Sequence, residues 1–210
     1  MPGGAKIILI NILVLVSGSG TNLQALIDAQ IDKKIGNARL AAVLSDRPDI
    51  YALERARAAG IPAFMEEPKR NLLKPERRKE FSDRVLSLCR DMCIDLIIHA
   101  GFLTILAGDI IEEYSGRMMN IHPALLPKYG GQGMYGINVH RAVLAAGEKE
   151  SGCTIHIVDA GTDTGPILLQ RKVPVLPDDT PEKLAERILM EEHIAIVHGV
   201  NIMIKKLLEL

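Results

Sequence analysis

Apolar runs bounded by turn residues alternate with stretches of helical periodicity along most of this chain. Continuous apolar segments fit strands buried on both faces at Ile8–Val16, Leu40–Leu44, Leu96–Ala100, Met118–His122, Cys153–Val158 and Ile167–Val173, with Pro62–Phe64 a shorter one. Between them, helices fit Asn22–Ala29, Tyr51–Ala59, Pro75–Met92, Ala107–Tyr114, His140–Ala146 and Pro181–Leu208. This alternation predicts an α/β fold, a single domain built on a mostly parallel, twisted sheet flanked by helices. No internal repeat or low-complexity segment is visible.

Neither end of the chain reads as a targeting or membrane segment. The first apolar run ends at Ser17-Gly18-Ser19-Gly20 and lacks the basic lead and small-residue cleavage site of a secretory signal, so it reads as a buried strand. Glu191, Glu192, His193, Lys205 and Lys206 break up the C-terminal apolar stretch, which excludes an uninterrupted bilayer span. The charge-rich stretch Met65–Lys79 reads as a solvated face leading into a helix that starts near Pro75.

Composition narrows the possibilities. With 210 residues, 48% of them hydrophobic and 24% charged, the chain fits one soluble globular domain with a full core. A net charge of −1 and 3% aromatic content offer neither a field for a phosphate backbone nor a stacking platform for bases, so no nucleic-acid partner is expected. Cys89, Cys93 and Cys153 form an odd set without a secretory signal, which argues for reduced thiols in a cytoplasm. Cys89 and Cys93 lie one helical turn apart, but with no further ligands nearby they read as core thiols, not a zinc site.

Candidate chemistry centres on Asn120-Ile121-His122-Pro123 and Asp163-Thr164-Gly165-Pro166. Asn120 and His122 alternate onto one face of a strand, and Pro123 ends the ladder at the sheet's carboxyl edge, where open α/β folds bind ligands. An amide, an imidazole and a carboxylate suffice for acyl transfer without a metal: the imidazole shuttles a proton, the amide faces the oxyanion and the carboxylate tunes the imidazole. Singly, a lone strand histidine reads as structural and Asp163 as a turn former. His156, on a neighbouring strand, reads slightly better as a core histidine than as a supporting hydrogen-bonding residue. The glycine-rich Gly130–Gly136 segment predicts a mobile loop beside Asn120 and His122.

Two further features point to ligands. Ser17-Gly18-Ser19-Gly20-Thr21-Asn22 joins the first strand to the first helix, where free N–H groups and the helix dipole suit a phosphate; the competing reading is a tight turn capped by Thr21 or Asn22. In the last helix, Leu184, Ile188 and Ile196 leave a gap in their four-residue stripe that Glu192 fills, so its carboxylate either points inward toward a ligand group or is solvated beside Glu191.

Taken together, Ser17-Gly18-Ser19-Gly20-Thr21-Asn22-Leu23-Gln24, Leu53-Glu54-Arg55-Ala56-Arg57, Ala100-Gly101-Phe102, Asn120-Ile121-His122-Pro123, Leu125-Leu126-Pro127-Lys128-Tyr129 and Asp163-Thr164-Gly165-Pro166 give a chain that resembles the phosphoribosylglycinamide formyltransferase family. The resemblance runs from about Ile12 to about Val200. It implies a Rossmann-like formyltransferase domain over residues 1–210, with 1–11 an extension, 12–122 a phosphate-binding half and 123–210 the remaining catalytic and folate-binding half. The implied reaction moves the formyl group of 10-formyltetrahydrofolate to the amine of glycinamide ribonucleotide in purine biosynthesis.

The resemblance also implies roles for particular residues. Asn120, His122 and Asp163 would be catalytic. Gly20, Thr21, Asn22 and the segment Leu189, Met190, Glu191 and Glu192 would bind the ribonucleotide. Arg78, Leu103, Thr104, Ile105, Leu106, Asn120, Asp159, Ala160, Gly161, Thr162 and Asp163 would bind folate. The partners are small molecules, with no nucleic acid, membrane or metal, and the assembly a monomer or homodimer. Thr104 stands where better-known members carry arginine, and the Gly130–Asn138 loop is longer than in many. Related deformylases and tRNA formylating enzymes carry additional domains, so the length and charge favour the ribonucleotide reaction, with a folate- or nucleotide-binding protein lacking catalysis as the alternative from another class.

Overall fold

The structure, a computed structural model, describes residues 9–209. The chain runs β1 (Ile10–Val16), α1 (Thr21–Ile31), β2 (Ala38–Ser45), α2 (Tyr51–Ala58), β3 (Ala63–Met65), α3 (Lys74–Asp91), β4 (Leu96–His99), α4 (Asp109–Glu113), β5 (Met118–His122), α5 (Ile137–Ala145), β6 (Glu150–Ile157), β7 (Ile167–Pro174) and α6 (Pro181–Leu208). All seven strands join one sheet in the order β3-β2-β1-β4-β5-β6-β7. The expected α/β architecture is therefore present. Ile8, expected to open the first strand, lies outside the described residues, as do positions 1–7 of the expected extension.

The chain winds outward from β1 through β2 to β3, then returns to β4 on the other side of β1. The loops after β1 and β4 thus diverge, leaving a crevice at the carboxyl ends of those strands. Strands β1 to β5 pair in parallel, whereas β6 runs against β5 and β7 against β6. Alternation within the strands feeds two cores. Leu13, Leu15, Ile97 and Met118 join Phe81, Val85 and Ile110 under α3 and α4. Ile12, Val14, Ile98, Met119 and Ile155 join residues of α1, α2 and α6 on the opposite face.

Two strands depart from the expectation of burial on both faces. β7 is exposed or half-buried at every position but Val173, because it is the sheet's last strand and has no neighbour beyond it. β3, at the other edge, is three residues long and only partly covered. Charged side chains on a short or polar edge deter pairing with other chains. α5 starts three residues earlier than expected, since Gly136, at φ 55°, turns the chain into it. Cys89 is a core thiol as expected, but Cys93, expected to be one too, is exposed, its left-handed backbone (φ 50°) having ended α3; Cys153 is also buried.

Register at the β5–β6 ladder is pinned by one hydroxyl. Thr154 Oγ1 donates to the Ala124 carbonyl at 2.6 Å and accepts from Leu126 N–H at 3.1 Å and Gln170 Nε2 at 2.9 Å. Close by, the Ile157 amide donates to the Pro166 carbonyl, closing the loop that carries Asp163. A Cβ at Gly165 would lie 1.9 Å from the Ile157 carbonyl oxygen, so that position admits no side chain. Gly165→Ala is expected to destabilise the protein by about 1–3 kcal/mol through forced backbone displacement. A denaturation midpoint equal to that of the parent would contradict this.

Candidate active site

Strand alternation and register bring a row of polar side chains onto one face of the sheet. His99 in β4 lies opposite Asn120 in β5, and Asn120 opposite His156 in β6, with His122 two residues farther along β5. The face they share is the one that α3 and α4 cover beside β1 and β4. Over β5 and β6 the connections after those strands take the helices' place, and they bring Asp163 back to His122.

The hydrogen bonds fix most of the proton positions. His122 Nε2 is 2.7 Å from the Tyr129 carbonyl oxygen. A carbonyl can only accept, so Nε2 keeps its hydrogen and Nδ1 is the nitrogen that gains and loses a proton. Nδ1 faces Asp163 Oδ2 at 3.6 Å, an ionic contact longer than a hydrogen bond. His156 Nδ1 likewise donates to a carbonyl, that of Ile157, at 2.9 Å. In the neutral ring Nε2 then accepts from Asn120 Nδ2 at 3.1 Å, which sets the amide with its NH2 toward the imidazole and leaves a second N–H to give. Asp163 Oδ1 is 3.5 Å from the same His156 Nε2, and its Oδ2 accepts from Gly131 N–H at 2.9 Å.

These surroundings move the titrations. Burial pushes the His122 imidazole below its ordinary value, while the Asp163 carboxylate and the Tyr129 carbonyl oppose that shift without cancelling it. Burial acts to raise the Asp163 carboxyl, but the adjoining His156 ring, the Gly131 N–H and the positive charge that His122 and His156 take up when protonated outweigh it, leaving Asp163 below the usual carboxylate range. The His122–Asp163 pair is therefore poised: a neutral base beside a committed carboxylate that stabilises its protonated form. His99 is wholly neutral, because burial drives it down to about 3. Its ring packs edge-on against Phe102, and its Nε2 has no hydrogen-bond partner.

The loop after β1 meets the requirements of an anion site. Gly20 is the residue that caps α1, at φ 75° and with no side chain closing the helix end; neither Thr21 nor Asn22 plays the capping part considered from the sequence. A Cβ on Gly20 would fall 2.6 Å from Ala52 Cβ, so close packing of α2 excludes other residues. The helical ladder begins with Gln24 N–H to the Gly20 carbonyl, leaving the amides of Thr21, Asn22 and Leu23 without helical partners. No acidic residue stands in this first turn. Arg55 braces the loop, its Nε donating to the Ser19 carbonyl at 2.9 Å.

Glu192 points inward. It is buried and accepts from Asn22 Nδ2 at 2.8 Å, and burial raises its carboxyl above the ordinary value against that hydrogen bond. Asn22 Oδ1 is buried without a partner. Of the neighbouring candidates, Glu191 is paired with Arg171, Leu189 is half-buried and Met190 is exposed, so only Glu192 joins the loop.

A cavity of about 680 Å³ opens on the far side of Ser17, bordered by Asp46, Arg47, Arg70, Lys74, Arg77, Arg78 and the Leu103–Ile105 strap. Ser17 Oγ holds that strap by accepting from Leu103 N–H at 2.8 Å, and Thr104 donates to Asp46 at 2.6 Å. The charged stretch expected to be merely solvated thus supplies Arg70, Lys74, Arg77 and Arg78 to a cavity wall. Leu106 is 5% exposed and belongs to the core under α3 and α4, and is not part of that wall. Asp159 binds its own loop, accepting from Gly161 N–H and Thr164 Oγ1, with Ala160 exposed and Thr162 half-buried. Asn120 and His122 are outside the cavity's lining.

The structure thus brings together Asn120, His122 and Asp163, as expected, and adds three groups that sequence reading underweighted. His156 is no mere core histidine, since it hydrogen-bonds Asn120; its alternation with Thr154 opposite the Asn-x-His pair was the available signal. His99 extends the same row, and the Tyr129 carbonyl, a backbone atom, left no signature in the sequence.

Comparison with known proteins agrees with this geometry. A family model described as formyl transferase matches residues 10–200. The trifunctional purine biosynthetic protein adenosine-3 of Drosophila melanogaster is 43% identical over 194 residues, covering 92% of this chain but only 14% of that protein. The phosphoribosylglycinamide formyltransferase of Escherichia coli (strain K12) is 40% identical over 184 residues, covering 87% of this chain and 82% of that one. Among solved structures, glycinamide ribonucleotide transformylase 1 from Symbiobacterium toebii superposes with a TM-score of 0.84 at 40% identity, covering 92% of this chain and 86% of that chain.

Proposed function

The chain belongs to the formyl transferase family, and on that premise we propose that it transfers the formyl group of 10-formyltetrahydrofolate to the primary amine of glycinamide ribonucleotide. The products are the N-formyl ribonucleotide and tetrahydrofolate, in purine biosynthesis. The observation that carries this reading is the meeting of three groups from distant segments, with His122 Nδ1 3.6 Å from Asp163 and Asn120 alongside. Relatives named for the same reaction match most of the chain, and one of them is itself mostly covered by it.

In the proposed reaction the amine attacks the formyl carbon, and the free N–H of Asn120 donates to the oxygen as it becomes negative. The attacking nitrogen gives up a proton to His122 Nδ1, and Asp163 stabilises the resulting imidazolium. That proton then passes to N10 of the folate as the carbon–nitrogen bond breaks, regenerating neutral His122. Gly20, Thr21 and Asn22 bind the ribonucleotide phosphate through backbone amides, and Glu192 meets its ribose or amine end. Arg78 and its neighbouring cations receive the folate's carboxylates, while Leu103, Thr104, Ile105 and the Asp159–Asp163 loop surround its ring. We assign one domain over residues 1–210, acting in the cytoplasm on small molecules as a monomer or homodimer.

Incubation with both substrates, following tetrahydrofolate release, tests the proposal. Release is expected only when the amine is present; equal release without it would make the protein a hydrolase. Removing the substrate's phosphate is expected to weaken its binding about a hundredfold, in keeping with several lost charge-assisted hydrogen bonds. Equal binding of both forms would remove the phosphate role from the loop after β1.

A further inference from the structure

One remote acidic residue is tied to the imidazole through the backbone. Glu148, between α5 and β6, accepts on a single oxygen, Oε1, from the Tyr129 phenol at 2.9 Å and from Lys128 Nζ at 2.8 Å. Tyr129 has a left-handed backbone, φ 57°, which a residue with a side chain adopts only when its surroundings enforce it. That conformation is what aims its carbonyl at His122 Nε2. Two residues later, the Gly131 amide reaches Asp163. Between them a Cβ on Gly130 would fall 2.5 Å from Leu126 Cδ2 and 3.2 Å from Asp163 Cβ, so the segment lies tightly against the site.

We propose that Glu148 is a positioning residue for His122: by holding the Tyr129 phenol, it locks the backbone turn whose carbonyl keeps the hydrogen on Nε2 and leaves Nδ1 as the proton carrier. The inference rests on the role proposed above for His122. The reasoning is geometric. The neutral ring has two tautomers, and only a fixed carbonyl opposite Nε2 selects the one with its lone pair toward Asp163 and the reacting centre. A turn free to relax would lose that acceptor and let the ring take the other tautomer, whose Nδ1 hydrogen points at the carboxylate and accepts nothing. The other titratable groups whose charge is felt at His122 are Asp163 and His156, and His140, from α5, is near enough for His122 to act on its titration.

The test reads the imidazole itself. Nitrogen-15 NMR of His122 in Tyr129→Phe and Glu148→Ala should show a reduced Nε2–H population relative to the parent. Turnover should fall about tenfold with both KM values within twofold, the scale on which small displacements of a positioned group act. The acid limb of kcat/KM should move to lower pH, because the carbonyl that favours the protonated ring is loosened. Glu148→Gln, which keeps an acceptor oxygen for the phenol, should restore most of each effect. Unchanged nitrogen shifts and an unchanged pH profile in both disruptive variants would overturn the inference. Because the NMR readout needs no substrate, a parent protein inactive in formyl transfer would sink the proposed reaction while leaving the tautomer result to be judged separately.

Discussion

Replacing His122 with alanine is expected to lower turnover by a hundredfold or more, and Asn120→Ala to do so on the same scale. Each removes a group that acts most strongly in the transition state: the proton carrier in one case, the donor to the nascent oxyanion in the other. Both should lower kcat and kcat/KM together, with little change in KM, since neither side chain is needed for ground-state anchoring of the phosphate or the folate carboxylates. The two losses should also fail to multiply in the double variant, because donor and carrier serve one transition state. Steady-state kinetics with unfolding curves as a control provide the measurement. Near-normal turnover in both single variants would dismantle the mechanism.

Asp163→Asn carries the second large effect, and its pH dependence gives it a sign. In the parent, burial already holds His122 below its ordinary value, and the Asp163 carboxylate partly offsets that depression. Removing the carboxylate leaves the desolvation unopposed, so the imidazole titrates at still lower pH. The acid limb of kcat/KM, which falls where His122 becomes protonated before the amine arrives, should therefore shift toward lower pH. The plateau above it should drop on the order of a hundredfold, since the imidazolium formed during the reaction loses its counter-charge. A limb that moved to higher pH, or a plateau within twofold of the parent, would show that Asp163 does not act on His122 in this way.

The parts of this molecule that were legible in its sequence are those governed by local periodicity. Continuous apolar runs located β1, β2, β4 and β5 because a strand covered on both faces has no polar positions to interrupt it. Asn120 and His122 stood out because two polar groups at period two break such a run on one face only. The direction of β6 and β7 was not legible, as apolar content says nothing of whether a strand runs with or against its neighbour. The thin cover on β7 followed from its edge position, a property of the whole sheet. His156 was misjudged for a related reason: alone on its strand it looked like any buried imidazole, and its partner Asn120 is 36 residues away in sequence. Glu192 remained ambiguous until α6 was seated against α1, which turned the carboxylate toward Asn22. The contribution of Tyr129 comes from a carbonyl in a left-handed turn, which no side-chain pattern encodes.

The hydroxyl of Thr154 carries a consequence for how the protein acquires its competence. With side chains alternating at period two, a slip of β6 by one position against β5 would present Cys153 and Ile155 where Thr154 and His156 now stand. Such a product would keep its helices and much of its apolar interior, yet it would be chemically silent. The three hydrogen bonds that Thr154 makes to Ala124, Leu126 and Gln170 can be satisfied in only one alignment. A single methyl-bearing alcohol, paired across the ladder from His122 yet taking no part in the chemistry itself, thereby acts as the proofreading key of the fold.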